Sequence, residues 1–380
     1  MRLVAMHRLA PGARVARDVW RGVPGNIPLL AAGTLVTPEY RDALVRGGIN
    51  AIYVDDELGA GISVPEALSM TTRRAVTTVL AGALTTSASA VDGRSALPTT
   101  ALADLGRAVT LIVDDVLEAP DDTLLVLSDL ASADAYTLQH SIDVAALGVV
   151  LGERLFRERG TVDHRGRPVL GRDRLRTRLG RLGLGLLLHD LGKLAVSSEI
   201  LSKPGELTEE ETALVRLHPL LGLEMLPVHQ VSPLARAVVR SHHERWDGSG
   251  YPDGRAGEDI HEFARIASVA DVYDAVTSER PYHPAAPASV GVRAVMGGAG
   301  TAFEPDVVSV FRRTVAPLPP GTEVELRDGR RGVVVEVTPD HPDRPLVRLA
   351  VSHDGEPIEH LVVGPVDPSD LMPEPGSCAA

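Results

Sequence analysis

A single cysteine, Cys378, serves a chain of 380 residues. That excludes a disulfide framework and any thiolate-built metal site, and it fits a reducing compartment. Aromatic residues are scarce at 3%, so Leu, Val and Ala must fill the core. No apolar run approaches the roughly 18 residues needed to span a bilayer. The longest, around Leu182–Leu188, is broken by glycines and runs into His189. The opening residues, Met1 to His7, lack the apolar centre of a signal peptide. A cytoplasmic protein without membrane association is expected. Basic excess is also missing: the net charge of −13 argues against a surface for a nucleic acid polymer, which needs clustered Lys and Arg. A small phosphorylated ligand stays compatible with that charge, because bound cations reverse the local sign.

What is present is an ordinary globular composition, 44% hydrophobic and 23% charged, in a chain long enough for two or three domains. Residues 1–62 read as a small α/β module, with strands at Val15–Val19 and Ala51–Val54 and a helix from Pro38 to Val45 that stops at Gly47-Gly48. A helical linker region, 63–121, follows. It has periodic segments at 65–83 and 99–118, joined by a Ser/Thr/Ala/Gly-rich connection expected to be mobile. From 122 to 316 the pattern is helical, and a bundle with an interior site between facing helices is predicted. Residues 317–380 change to period two, with strands at Glu323–Leu326, Gly332–Val337 and Pro345–Val351, which predicts a small β-barrel-like extension. The fold class expected is therefore mainly α, flanked by two small modules.

Six short signatures carry the chemistry: His140-Ser141, His189-Asp190-Leu191-Gly192-Lys193, His218-Pro219, His242-His243-Glu244, Gly250-Tyr251-Pro252 and Asp271. Five His and two Asp are too many ligands for one ion. They suit two adjacent cations with mixed nitrogen and oxygen donors, which at about 3.5–4 Å apart are a standard device for hydrolysing phosphate esters. His189-Asp190 is the strongest element. It follows an apolar helix, where an ionised carboxylate is costly unless paired or metal-bound. On a helix the two side chains would diverge by about 100°, so one can bind a single ion while the other bridges two.

Taken singly, each residue has a plainer reading. His189-Asp190 could be a buried hydrogen-bonded pair, His242-His243 a surface pair, His140 a satisfied core histidine and His218 a helix boundary. Jointly those readings are improbable. Lys193 shares a helical face with His189 if the helix persists past Gly192. It and Arg280 are candidate phosphate contacts, one as a point charge and one as a bidentate fork, against the alternative of structural ion pairs. The seven arginines from Arg165 to Arg181 are spaced to scatter around a solvated loop-helix.

These residues strongly resemble the HD-GYP family of HD-domain metal phosphohydrolases. The likeness runs through His189–Lys193, Ile200–Thr208, His218-Pro219, His242–Pro252, Ala264–Asp271 and Thr277–Tyr282, in order and over about half the chain. It implies a helical fold and phosphodiesterase action on cyclic di-GMP, giving linear pGpG, GMP or both. His140, His189, Asp190, His218, His242, His243 and Asp271 would then be metal ligands, with Asp190 bridging. Lys193 would support phosphate, and Gly250, Tyr251 and Pro252 would shape a loop near substrate.

Some members carry a Glu four residues before the first His that helps hold a third metal. Tyr136 stands there, so two divalent ions are expected, of Fe, Mn, Ni, Zn or Co. His283 follows Arg-Pro-Tyr where a more basic residue is common, and Glu304 replaces Asp before Pro305. On this reading a hydroxide bridging the two metals attacks phosphorus in line with the leaving 3′ oxygen. Cyclic di-GMP is the expected partner, and a homodimer or a protein partner such as a diguanylate cyclase is compatible with the resemblance. The alternatives are a cyclic di-GMP sensor with little turnover and a hydrolase of another nucleotide.

Overall fold

Val4, Val15, Ile52 and Val54 point into a small core of their own, which fixes the register of the N-terminal sheet. In the computed structural model, β1 (Arg2–Ala5), β2 (Arg14–Val15) and β3 (Ala51–Asp55) pair antiparallel in the order β1-β3-β2. The structure describes residues 1–20, 28–49, 51–64, 66, 68–88, 97–120, 136–160, 171–278, 286–338, 341–352 and 361–372. The strand expected over Val15–Val19 is only two residues long. The Asp18 carboxylate accepts from the Ala32 amide and Val19 bridges to Leu30, so the chain leaves the sheet after Val15. Helix α1 (Pro38–Arg46) begins as expected, with Thr37 accepting the Tyr40 amide and Pro38 at the first helical position.

The linker region forms α2 (Met70–Ala88) and α3 (Thr99–Glu118), which pack against each other. Helix α2 runs into the stretch expected to be a mobile connection; the remainder of that stretch to residue 96 lies outside the described residues, as do Leu124 to Leu130. Helix α4 (Tyr136–Arg159) is the centre of the bundle. Ile142, Val144 to Leu147, Val149 and Leu151 are fully buried around its whole circumference, as expected of a helix that is apolar on every side. Against it pack α2, α3, α5 (Arg172–Leu188), α10 (Glu262–Thr277) and α12 (Pro305–Thr314), while α9 (Pro233–Ser241) lies on α5 and α10, and α11 (Ala288–Gly297) on α10 and α12. The short helices α6 (Ser198–Leu201), α7 (Glu209–Val215) and α8 (His218–Met225) lie between α5 and α9 in sequence, with a reciprocal capping box of Thr208 and Glu211 opening α7.

The arginine-rich stretch is partly structural. Arg176 pairs with Asp114, and Arg178 pairs with Glu262 and lies over the Phe156 ring at 4.0 Å. Arg165 and Arg167 fall outside the described residues.

Among the described residues the C-terminal unit holds four strands where three were expected: β4 (Glu323–Glu325), β5 (Arg331–Thr338), β6 (His341–Val351) and β7 (Val362–Val363), antiparallel in that order. Two residues give β7 too little period for sequence pattern to find. This sheet touches the N-terminal one: the Leu3 amide donates to the Gly321 carbonyl at 3.0 Å, and Arg2 pairs with both Asp56 and Glu323. Among the described residues no helix is long and apolar enough to cross a membrane.

Candidate metal centre

Each expected ligand sits at the end of a helix or on a buried helical face. His140 lies in the first turns of α4 and Asp271 lies midway along α10. His189 is the last αR residue of α5, and Asp190 leaves the helix at φ −97°, ψ 8°. This corrects the picture of two side chains diverging on one helix: the break after His189 turns both toward the same point, Nε2 of His189 lying 3.4 Å from Oδ2 of Asp190. His218 is the first residue of α8, and His242 and His243 follow the end of α9.

The seven residues converge. Ligand atoms of Asp190, His218, His242 and His243 lie within 4.8 Å of one another, as do those of His140, His189 and Asp271. Asp190 stands between the two groups. Its Oδ1 is 3.3 Å from His218 Nε2 and 3.9 Å from His242 Nε2. Its Oδ2 is 3.4 Å from His189 Nε2 and 3.6 Å from His140 Nε2.

Hydrogen bonds at the far side of four imidazoles decide their tautomers. Nδ1 of His189 donates to the Leu186 carbonyl at 2.7 Å, that of His218 to Val215 at 2.8 Å, and that of His242 to Val238 at 3.1 Å. Nδ1 of His140 meets the Asp274 carboxylate at 2.6 Å. With their Nδ1 protons so committed, His218 and His242 turn the lone pairs of their Nε2 atoms on each other at 3.2 Å, an arrangement that calls for a shared positive charge. His189 Nε2 and Asp190 Oδ1 are also buried without a hydrogen-bond partner among the described residues, a cost proteins rarely leave uncompensated. Neutral imidazole and carboxylate donors backed by carbonyls and a carboxylate are what divalent transition metals take. The residues fit the group.

Electrostatics separate the histidines. Burial, reinforced by the charges of His243 and His189, holds His242 far below the usual imidazole range. Burial brings His243 to about 4 against the pull of Asp271, and burial also lowers His218. His140 goes the other way: burial opposes its charge, but hydrogen bonds and charges from Asp271 and Asp274 prevail and push it up to about 10. Asp190 is kept well below the carboxylate range despite burial, chiefly by Lys193 and His189.

Lys193 corrects a second expectation. Past Asp190 the chain is a 3-10 turn over Leu191–Ala195, not a continued α-helix, so Lys193 shares no helical face with His189. Its ammonium donates instead to Asp190 Oδ2 at 2.6 Å. The turn lies hard against α8: a Cβ on Gly192 would stand 1.9 Å from the His218 carbonyl oxygen and 2.5 Å from the Gly222 amide.

Gly250 allows a comparable approach, since a Cβ there would be 2.4 Å from the Arg245 amide nitrogen. That contact folds the loop back so that Tyr251 stacks on His243, ring centres 4.7 Å apart. Burial, with the charges of Asp271 and Asp190, raises the Tyr251 phenol above its ordinary range. Arg280 and His283 lie outside the described residues, as does the side chain of Tyr136. One contributor was missed in the sequence. Asp274, three residues after Asp271 and on the same face of α10, was legible from that spacing. Glu244, whose carboxylate accepts the amides of Asp253 at 2.8 Å and Arg255 at 3.1 Å, anchors the Tyr251 loop.

Comparison with known proteins agrees with this geometry. Residues 175–307 match the HD domain model, and 323–374 match a KOW domain associated with the HD domain. Residues 175–307 thus carry an HD domain. The chain is 42% identical over 222 residues to a cyclic di-GMP phosphodiesterase of Pseudomonas aeruginosa, covering 58% of the chain and 49% of that protein. It is 42% identical over 133 residues to the cyclic di-GMP phosphodiesterase response regulator RpfG of Xanthomonas campestris pv. campestris, covering 34% and 35%. It is 39% identical over 136 residues to a 3'3'-cGAMP-specific phosphodiesterase of Vibrio cholerae, covering 35% and 29%. The chain thus spans about half or less of the length of these relatives.

Proposed function

We propose that this chain is an HD-GYP metal-dependent phosphodiesterase that hydrolyses cyclic di-GMP to pGpG, GMP or both. The observation that carries the reading is the pair of Nε2 lone pairs of His218 and His242, 3.2 Å apart beside Asp190. His218, His242, His243 and Asp190 would hold one divalent ion; His140, His189 and Asp271, with the other oxygen of Asp190, would hold the second. Cations bound there supply acidification of water and neutralisation of charge on phosphoryl oxygens. The ion could be Fe, Mn, Ni, Zn or Co, since the donor set suits each.

The chain's own groups do the rest. Lys193 is partly exposed and already beside Asp190, so its ammonium can meet a non-bridging phosphate oxygen as a point charge. Tyr251 stays a neutral phenol because burial raises it; it can donate a hydrogen bond while its ring walls the pocket beside His243. Gly250 and Pro252 hold that loop in place, and Arg280 is proposed as a second phosphate contact. The organisation proposed is an N-terminal module to residue 62, a linker to 121, the HD-GYP unit from 122 to 316 and the KOW-like extension beyond.

A hybrid cyclic dinucleotide is a second reading, favoured by the likeness to the 3'3'-cGAMP-specific phosphodiesterase. Full-length protein loaded anaerobically with Mn or Fe, offered cyclic di-GMP and 3'3'-cGAMP separately, tests both readings. Preferential cleavage of cyclic di-GMP is expected; preference for the hybrid selects the second, and cleavage of neither by loaded protein rejects both.

Asp274 supplies a prediction in this frame. Changing Asp274→Asn removes the charge that orients His140 while keeping the shape. Cation affinity should fall about 10–100-fold, the usual effect of losing a partner behind a metal-ligating histidine. Calorimetric titration with Mn would measure it, and an unchanged affinity would count against His140 as a ligand.

A further inference from the structure

Helix α2 belongs neither to the N-terminal module nor to the cluster, yet of two consecutive residues on it one pairs with the helix that carries His140 and the other touches the module. Arg73 is buried and donates from its guanidinium to Asp143 Oδ1 at 2.8 Å. Asp143 lies on α4 three residues after His140, and its other oxygen accepts from Gln139 at 2.8 Å. Buried charges of this kind are tolerated only when paired with good geometry, so the Arg73–Asp143 contact ties the turn of α4 that carries His140 to α2. The next residue, Arg74, lies over the ring of Trp20 in the N-terminal module, 4.5 Å from its centre. Arg17 of the same module pairs with Glu66, just before α2, at 2.6 Å. At its own start α2 is held by α3, Asp115 accepting the Ser69 amide at 2.7 Å. Helix α2 also packs on the 3-10 turn that bears Lys193.

We propose that α2 couples the N-terminal module to the metal centre, with Arg73 as a positioning residue that holds His140 in place through Asp143 and α4. The proposal rests on the reading of His140 as a cation ligand. A signal that shifts the module against α2 through Trp20 and Arg74 moves the Arg73–Asp143 contact, and with it one side of the cluster.

The test uses the full chain and cobalt(II), whose visible absorption bands report the geometry of its ligands without any substrate. Cobalt is titrated into the wild type and into Arg73→Ala, Arg73→Lys and Trp20→Ala, with thermal melting as the control for folding. Trp20→Ala and Arg73→Ala should weaken cobalt binding about three- to tenfold, the range expected for coupling through packed elements, and alter the bands. Arg73→Lys should recover part of the loss. If Arg73→Ala does not fold, Trp20→Ala decides, because it removes nothing from the bundle. A folded Trp20→Ala chain with wild-type affinity and bands overturns the coupling alone. A wild-type chain that takes up no cobalt overturns the metal reading and the coupling with it.

Discussion

An Asp190→Ala chain is expected to keep its helices and lose both cation binding and turnover, the latter by at least about a thousandfold, since the cations held there contribute several kcal/mol of transition-state stabilisation. The size of the effect follows from position. Asp190 turns Oδ1 to His218 and His242 and Oδ2 to His189 and His140, whereas Asp271 meets the first of these groups only through His243, at 3.8 Å. Removal of Asp190 unlinks the two halves and takes negative charge from a site where His243 and His242 are held neutral by burial. The fold should survive, because Lys193, the partner left without its carboxylate, is 31% exposed and can reach water. Asp190→Asn separates charge from shape: it should retain the fold, bind cations weakly and remain nearly inactive. Metal analysis after gel filtration, circular dichroism and a cyclic dinucleotide assay together check this. Full turnover by Asp190→Ala would remove the proposed mechanism.

Gly192→Ala should be the most damaging substitution of a residue that itself offers no ligand atom. The added carbon would fall 1.9 Å from the His218 carbonyl oxygen, and a backbone atom cannot rotate away as a side chain can. The 3-10 turn and α8 must separate, which carries His218 away from Asp190. A loss of about 3 kcal/mol or more in stability is expected, the upper end for overpacking in a core, together with loss of cation affinity. Gly222→Ala is the comparison. Its new carbon would meet a side-chain carbon of Val239 at 3.0 Å and the Gly192 amide at 3.1 Å, so a smaller loss is expected. Thermal melts of the two variants should rank in that order, and equal stabilities would show that the crossing of the turn and α8 yields more readily than its geometry implies.

The histidines and aspartates were legible because metal chemistry restricts residue type: few sequences place His189-Asp190, His242-His243 and Asp271 against apolar neighbours without a cation to hold. Helix α1 was legible from its Pro38 start and Gly47-Gly48 stop, and α3 from 3.6-residue periodicity over 99–118. Where pattern ran out, a local rule met a tertiary contact. Val19 has the composition of a strand residue, but Asp18 and Leu30 draw the chain away from β3. Lys193 has helical spacing from His189, but the helix has already ended at Asp190, and the turn that bears Gly192 packs on α8 instead.

By itself the amino-acid sequence determined which side chains can bind cations and that a helical bundle carries them, since residue chemistry and hydrophobic period are local properties. The tertiary structure alone decided that Asp190 faces two groups of ligands, that Asp274 orients His140, and that α2 reaches both Trp20 and Asp143. Those are relations between segments tens to hundreds of residues apart, and they are set by how apolar faces pack around α4, which no local pattern encodes.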